Sequence, residues 1–402
     1  MRKFLHFTSL AALVVSMTAC GANNVPSNVA PAAASAKPVD SSYGYPYQPN
    51  VVRACPAIAK DGYAECLALI RTDVHGDVSG YGPTQLQSAY DLPSTTAGSG
   101  QTVAVVDAYD DPNAASDLAT YRSEFGLPTC GTSNSCFQKV NEKGQASNYP
   151  TANASWAVEE SLDVDMVSAI CPNCKVVLVE ASSNSLMDLG KSVDTAVKIM
   201  HADAVSNSYG APKDKSPIGG QFYHHPGHII TAAAGDYGYK VAMPAGFPDV
   251  VAVGGTTLIT SSDSRGWAET VWSGTGSGCV LTRPKPAWQH DRKSCPWRTM
   301  NDVAADANPA TGVAIYDSYQ NGGWGVVGGT SVSSPIIASI YALAGNETSL
   351  DAAESLYQQG ASLNDVTAGS NGSKCKHKYL CNAEPGYDGP TGNGTPNGIS
   401  AF

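Results

Sequence analysis

The chain has 402 residues, a formal net charge of −11 and an isoelectric point near 5.1. Hydrophobic residues make up 42% of it against 15% charged, enough for one large α/β core or two smaller ones. The acidic balance excludes nucleic acid as a partner, which calls for a basic patch, and no internal repeat is visible.

Arg2 and Lys3 precede a mostly apolar run, Phe4 to Val15, too short to span a bilayer. Residues 1–20 therefore read as a targeting segment. MTAC, Met17 to Cys20, is similar to the lipobox of bacterial lipoproteins, in which the cysteine is lipidated after cleavage. The other reading is an ordinary cleaved leader. Both predict export, either lipid-anchored through Cys20 at the cell surface or outer membrane, or secreted. Residues 21–50, rich in Ala, Pro, Ser and Asn, read as a flexible linker. Residues 51–83 read as a short N-terminal extension, and 84–402 as the main domain.

Setting Cys20 aside, ten cysteines fall into neighbouring couples: Cys55/Cys66, Cys130/Cys136, Cys171/Cys174, Cys279/Cys295 and Cys375/Cys381. In an oxidising compartment these read as short-range disulfides. From Gln101 onwards strands and helices alternate. TVAVVD, from Thr102, is a strand buried on both faces, and Asp111-Pro112 opens a helix through DLATYRSEF. A second helix is predicted from Trp156 to Ile170, then the strand KVVLVE from Lys175, then a helix from Leu186 to Met200. DAVSNS, HIITAAA and VVAVGGT supply further strands. Such alternation predicts a mostly parallel sheet flanked by helices. The crevice beyond its strand ends would receive Asp107, Ser208 and Asp236.

GGTSVSSP, Gly328 to Pro335, places Ser331 at the start of an apolar helix, as a nucleophile would be. A serine hydroxyl needs a base. No His-Gly-Thr helix start stands between the first strand and the serine. His224 and His225, in a loop, and His228, which starts the strand HIITAAA, cluster in sequence and could instead hold a metal. What does occupy the stretch is NASWAVEESLDVDM, in which Glu159 and Asp163, four residues apart, share one helix face. Adjacent acids resist double ionisation, so a proton is shared between them. Asp236, in the turn Ala-Gly-Asp-Tyr-Gly, would face the same crevice, where a protonated carboxyl can donate to an oxyanion.

Together these motifs resemble the sedolisins, serine-carboxyl peptidases with a subtilisin-like fold. The E-x-x-x-D helix is Glu159 to Asp163, the Gly-Asp turn is Gly235-Asp236, and Gly-Thr-Ser-x-x-x-Pro runs from Gly329 to Pro335. VSNSYG and VAVGGT are similar to the family's strand ends. The resemblance implies an α/β, subtilisin-like single catalytic domain, monomeric and acting on polypeptides. It implies an acyl-enzyme at Ser331, Glu159 as general base, Asp163 as its partner and Asp236 as oxyanion donor. Such carboxyl chemistry would run near pH ~3–5, where free carboxyls titrate. The resemblance also implies one structural Ca²⁺ held by Asp365 and Asp388 with main-chain oxygens of Val366, Glu384 and Gly386. Family members usually carry a large folded prodomain, whereas only about residues 21–83 precede the catalytic region here, so either activation differs or the short extension is an inhibitory remnant. The alternative is a catalytically silent surface-binding lipoprotein on the same scaffold.

Overall fold

The computed structural model describes residues 48–402, apart from 59, 75, 213–218, 292 and 293. The leader and the linker up to residue 47, with Cys20, lie outside the described residues. The principal sheet runs in the order Trp267–Val271, Val251–Thr260, Ile229–Ala233, Ala204–Asn207, Thr102–Ala108, Lys175–Ala181, Phe137–Asn141. All neighbours are parallel except Trp267–Val271, which returns antiparallel along Val251–Thr260. Val303–Asp306 adds a parallel partner to Val251–Thr260. The Thr102–Ala108 strand is buried along its whole length. That burial accounts for its unbroken apolar sequence and for its place at mid-sheet.

Two helices that position the site are themselves interior. Ala154–Ile170 is capped by Asn153, whose side chain accepts from the N–H groups of Ser155 at 3.0 Å and Trp156 at 3.2 Å. Every residue from Trp156 to Ile170 is buried, the acids included. Thr330–Ala344 runs beside it and begins at Gly329, whose φ of 105° belongs to glycine. Pro335 inside this helix lacks the N–H that would bond the carbonyl of Ser331. That carbonyl lies instead 3.3 Å from the Ser208 hydroxyl oxygen.

Residues 51–71 are woven into the domain. Val51–Arg53 and Leu69–Arg71 pair with each other, and Leu69–Arg71 pairs in turn with Gly323–Gly328, the strand that leads into Ser331. Val313–Asp317 completes this antiparallel sheet of four. The couples expected from cysteine spacing are all bonded: Cys55–Cys66, Cys130–Cys136, Cys171–Cys174, Cys279–Cys295 and Cys375–Cys381. Among the described residues no helix is long and apolar enough to cross a membrane.

Candidate active site

Ser331 sits in the first turn of its helix, and its hydroxyl donates to the carbonyl of Ser208 at 3.2 Å. The Ser208 hydroxyl donates to Asp163 Oδ1 at 2.7 Å, so one serine ties the strand end both to the candidate nucleophile and to the acidic helix. Ser331, Glu159, Asp163 and Asp236 are at most 1% exposed.

Glu159 and Asp163 act on one another, but they are not an isolated pair. A third carboxyl, Asp107, at the end of the central strand, acts on both: after burial, it is the strongest influence raising each of them. Four oxygens here are buried without a hydrogen-bond partner: both of Asp107, Oε1 of Glu159 and Oδ2 of Asp163. Burying three carboxylates together is costly, which favours keeping a proton among them. Burial accordingly pushes Asp107 up to about 8 and raises Glu159 and Asp163 well above the usual carboxyl range. The Ser331 hydroxyl and the Ala68 N–H pull Glu159 back towards ionisation. Asp107 had been placed at the crevice from sequence but given no role. Its signal was a lone acid ending an otherwise apolar strand.

Asp236 Oδ1 accepts from the N–H and the hydroxyl of Thr330, at 2.9 and 2.8 Å. Its Oδ2 is buried and unpartnered. Burial raises this carboxyl to about 7 against the pull of the Thr330 bonds. Below that pH Asp236 is protonated and can donate from Oδ2. The other acids of the helix point elsewhere, as their register predicts: Glu160 Oε2 accepts from Asp111 N–H at 3.1 Å and Asp165 Oδ2 from Tyr316 N–H at 2.9 Å.

The three clustered histidines do not converge. His224 faces Asp249, His225 bonds the Phe222 carbonyl, and His228 bonds the Ala202 carbonyl. Among the described residues no histidine is hydrogen-bonded to Ser331, whose hydroxyl goes to the Ser208 carbonyl.

Towards the C-terminus, Asp365 Oδ2 accepts from Gly386 N–H at 2.9 Å. Asp388 is fully buried and accepts from Thr391 N–H at 2.9 Å and Glu384 N–H at 3.2 Å. Burial first, and Asp365 as well, raise Asp388 to about 7. A small cavity lined by Leu363, Asp365, Gly386, Tyr387 and Asn393 opens beside them. Paired acids that repel one another next to loop carbonyls fit a hard cation. Among the described residues the cluster of three acids with oxygens within 4.8 Å lies elsewhere, at Asp111, Asp117 and Asp317, and the sequence reading did not single it out.

A family model described as the subtilase family matches residues 98–359. The chain belongs to the subtilase family. Within it, the relatives are sedolisins, as the motifs implied. Sedolisin of Pseudomonas sp. (strain 101) is 28% identical over 389 residues, covering 86% of this chain and 64% of that protein. Kumamolisin of Bacillus sp. (strain MN-32) is 30% identical over 361 residues, covering 79% and 62%. The chain thus spans less than two thirds of the length of these curated relatives. The solved structure of Pseudomonas sedolisin, complexed with two molecules of pseudo-iodotyrostatin, superposes with a TM-score of 0.68 at 25% identity. That match covers 80% of this chain and 96% of the sedolisin chain. Sphericase, at a TM-score of 0.52 and 16% identity, shares the subtilase fold alone.

Proposed function

We propose that the protein is an acid-active serine-carboxyl endopeptidase. The observation that carries this reading is a buried serine whose hydroxyl favours the charged form of Glu159, with Asp107 and Asp163 acting on that carboxyl and on each other. In this reading Glu159 takes the proton of Ser331. Ser331 Oγ attacks the peptide carbonyl carbon, and the oxyanion settles between the Ser331 N–H and the protonated Asp236. Collapse breaks the C–N bond, and Glu159 returns the proton to the departing amine. Water then attacks the acyl-enzyme by the reverse route, releasing the acid and restoring Ser331. Glu159 must be ionised and Asp236 protonated at once, so the working range lies on the acid side of about 7.

Asp365 and Asp388, with main-chain oxygens of Val366, Glu384 and Gly386, would hold one Ca²⁺ whose part is to fix the C-terminal loops. Polypeptides are the substrates, and a leader ending at Cys20 fits export with a lipid anchor. The test is casein hydrolysis by the purified protein at acidic pH. Wild-type protein should digest casein, Ser331→Ala should not, and Glu159→Gln should lose about 10²–10⁴-fold, the usual worth of a general base. Near-wild-type turnover in Glu159→Gln would refute the assigned base.

A further inference from the structure

Away from the candidate catalytic groups, a second set of acids is buried together. Asp111 lies just ahead of helix Ala114–Glu124, Asp117 sits in that helix's first turn, and Asp317 ends strand Val313–Asp317. Each is at most 3% exposed, and oxygens of the three lie within 4.8 Å of one another. The hydrogen bonds they receive come from neutral groups. Asn113 N–H donates to Asp111 at 2.9 Å, and Tyr319 N–H to Asp317 at 2.9 Å. The N–H and the hydroxyl of Ser318 donate to Asp117 at 2.7 and 2.8 Å. Lys139, whose charge reaches Asp111, is bound to Asp110, to Glu180 and to the main-chain carbonyl of Asp111, not to its carboxylate. Among the described residues no Lys, Arg or His forms an ion pair with any of the three.

A fourth acid meets them from helix Ala154–Ile170. Ser161 and Asp165, one turn apart, share a face of that helix. The Ser161 hydroxyl lies 3.4 Å from Asp111 Oδ2, and Asp165 Oδ2 accepts from the N–H of Tyr316, the residue before Asp317. Asp165 Oδ1 is buried and has no hydrogen-bond partner. Burial raises this carboxyl well above the usual range, against the pull of the Tyr316 bond, and the charges that raise it further are Asp117, Asp317 and Asp111, the three members of the cluster. Arg122, which also feels Asp165, directs its guanidinium to the Ser168 hydroxyl and to the carbonyls of Pro128 and Pro172. Four acids gathered out of water, one with an unpaired oxygen, are costly to ionise unless a positive charge joins them.

We propose that Asp111, Asp117 and Asp317 hold a Ca²⁺ ion of their own, apart from the site at Asp365 and Asp388, with the free oxygen of Asp165 closing it from the helix side. Two oxygens on one Ca²⁺ stand at most about 5 Å apart, twice the Ca–O distance of ~2.3–2.6 Å. The three carboxyls meet that limit. A ligand set of carboxylates, without imidazole or thiolate, suits a hard cation. Ser318, Gln320 and Asn321 are exposed beside the cluster, so the ion enters from that side and keeps water as its remaining ligands. It joins helix Ala114–Glu124 and helix Ala154–Ile170 to strand Val313–Asp317. The second of these carries Glu159 and Asp163, and the strand pairs with Gly323–Gly328, which leads into Ser331. The part of the ion is to hold these elements in register. It touches no substrate, and the inference stands apart from the peptidase reading.

The test is calcium binding by the full chain, stripped with a chelator and titrated with Ca²⁺ in a calorimeter at neutral pH. Wild-type protein should bind two ions, and Asp388→Asn should keep one. In that Asp388→Asn background, Asp117→Asn or Asp317→Asn should abolish the remaining ion, and Asp165→Asn should weaken it about 10–100-fold. Tb³⁺ in place of Ca²⁺ gives a second readout. Trp324 stands opposite Tyr316 with ring centroids 5.1 Å apart, next to Asp317, so exciting these rings should make Tb³⁺ luminesce in Asp388→Asn. Trp324→Phe, which leaves all four acids, should dim that emission without releasing the ion. Should the ligand variants not fold, Asp165→Asn and Trp324→Phe decide alone. One ion in wild type, kept by Asp388→Asn and lost by Asp317→Asn, would uphold this site and remove the C-terminal one. Unchanged binding in Asp117→Asn, Asp317→Asn and Asp165→Asn, or no ion bound by folded Asp388→Asn, would overturn the inference.

Discussion

Asp236 is where the acid requirement is most sharply placed. Thr330 holds one oxygen by two bonds, which leaves the other free to carry a proton towards the cleft. Removing an oxyanion donor costs about 10²–10³ in turnover, and Asp236→Ala should lose that much. Asp236→Asn can keep both Thr330 bonds and offer an N–H that never ionises. It should lose less than the alanine variant, and its activity should extend to higher pH. Equal losses in the two variants, with unchanged pH limits, would mean that Asp236 serves packing alone. The four motif residues were legible in sequence because each stands in a short pattern on a strong element. Asp107 was not, because one acid at the end of an apolar strand is usual in α/β sheets. Only its distance to the acidic helix, set by the fold, reveals the company it keeps.

At the scale of elements, the alternation of buried strands and helices was readable, and most boundaries moved by a residue or two, although the strand read as VVAVGGT runs on to Thr260. The helix predicted from Trp156 begins at Ala154, because Asn153 supplies the cap. The strand read as DAVSNS breaks after Asn207 and resumes as Tyr209–Gly210, because Ser208 turns its hydroxyl to Asp163. The largest departure is the segment read as an extension, residues 51–83. Its strands are only two or three residues long and carry no periodicity that a sequence could disclose. Their place comes from long-range pairing with Gly323–Gly328 and Tyr209–Gly210, and from the Cys55–Cys66 bond.

Several buried acids across the molecule hold their protons above the usual carboxyl range. Burial raises Asp111 to about 6, Asp236 to about 7, and Asp107, Glu180 and Asp317 to about 8. Each binds its proton more tightly in the folded chain than in the unfolded one, where carboxyls titrate near 4. Their contribution is therefore complete below about pH 4, and is lost as pH rises through 6 to 8. The unfolding temperature should be highest in mild acid and fall steadily towards pH ~8. Calorimetry across that range checks it, and a midpoint that rises from acid to neutral pH would mean these acids are paired in ways the structure lacks.

The central claim is that carboxyls alone, with no histidine, run the chemistry at Ser331. The pH dependence of kcat/KM on a peptide substrate, measured with the purified protein, tests it most directly. The account predicts a bell lying on the acid side of about 7, its upper limb set by Asp236. A rate that instead climbs through about pH 6.5 to an alkaline plateau, as an imidazole base gives, would contradict it.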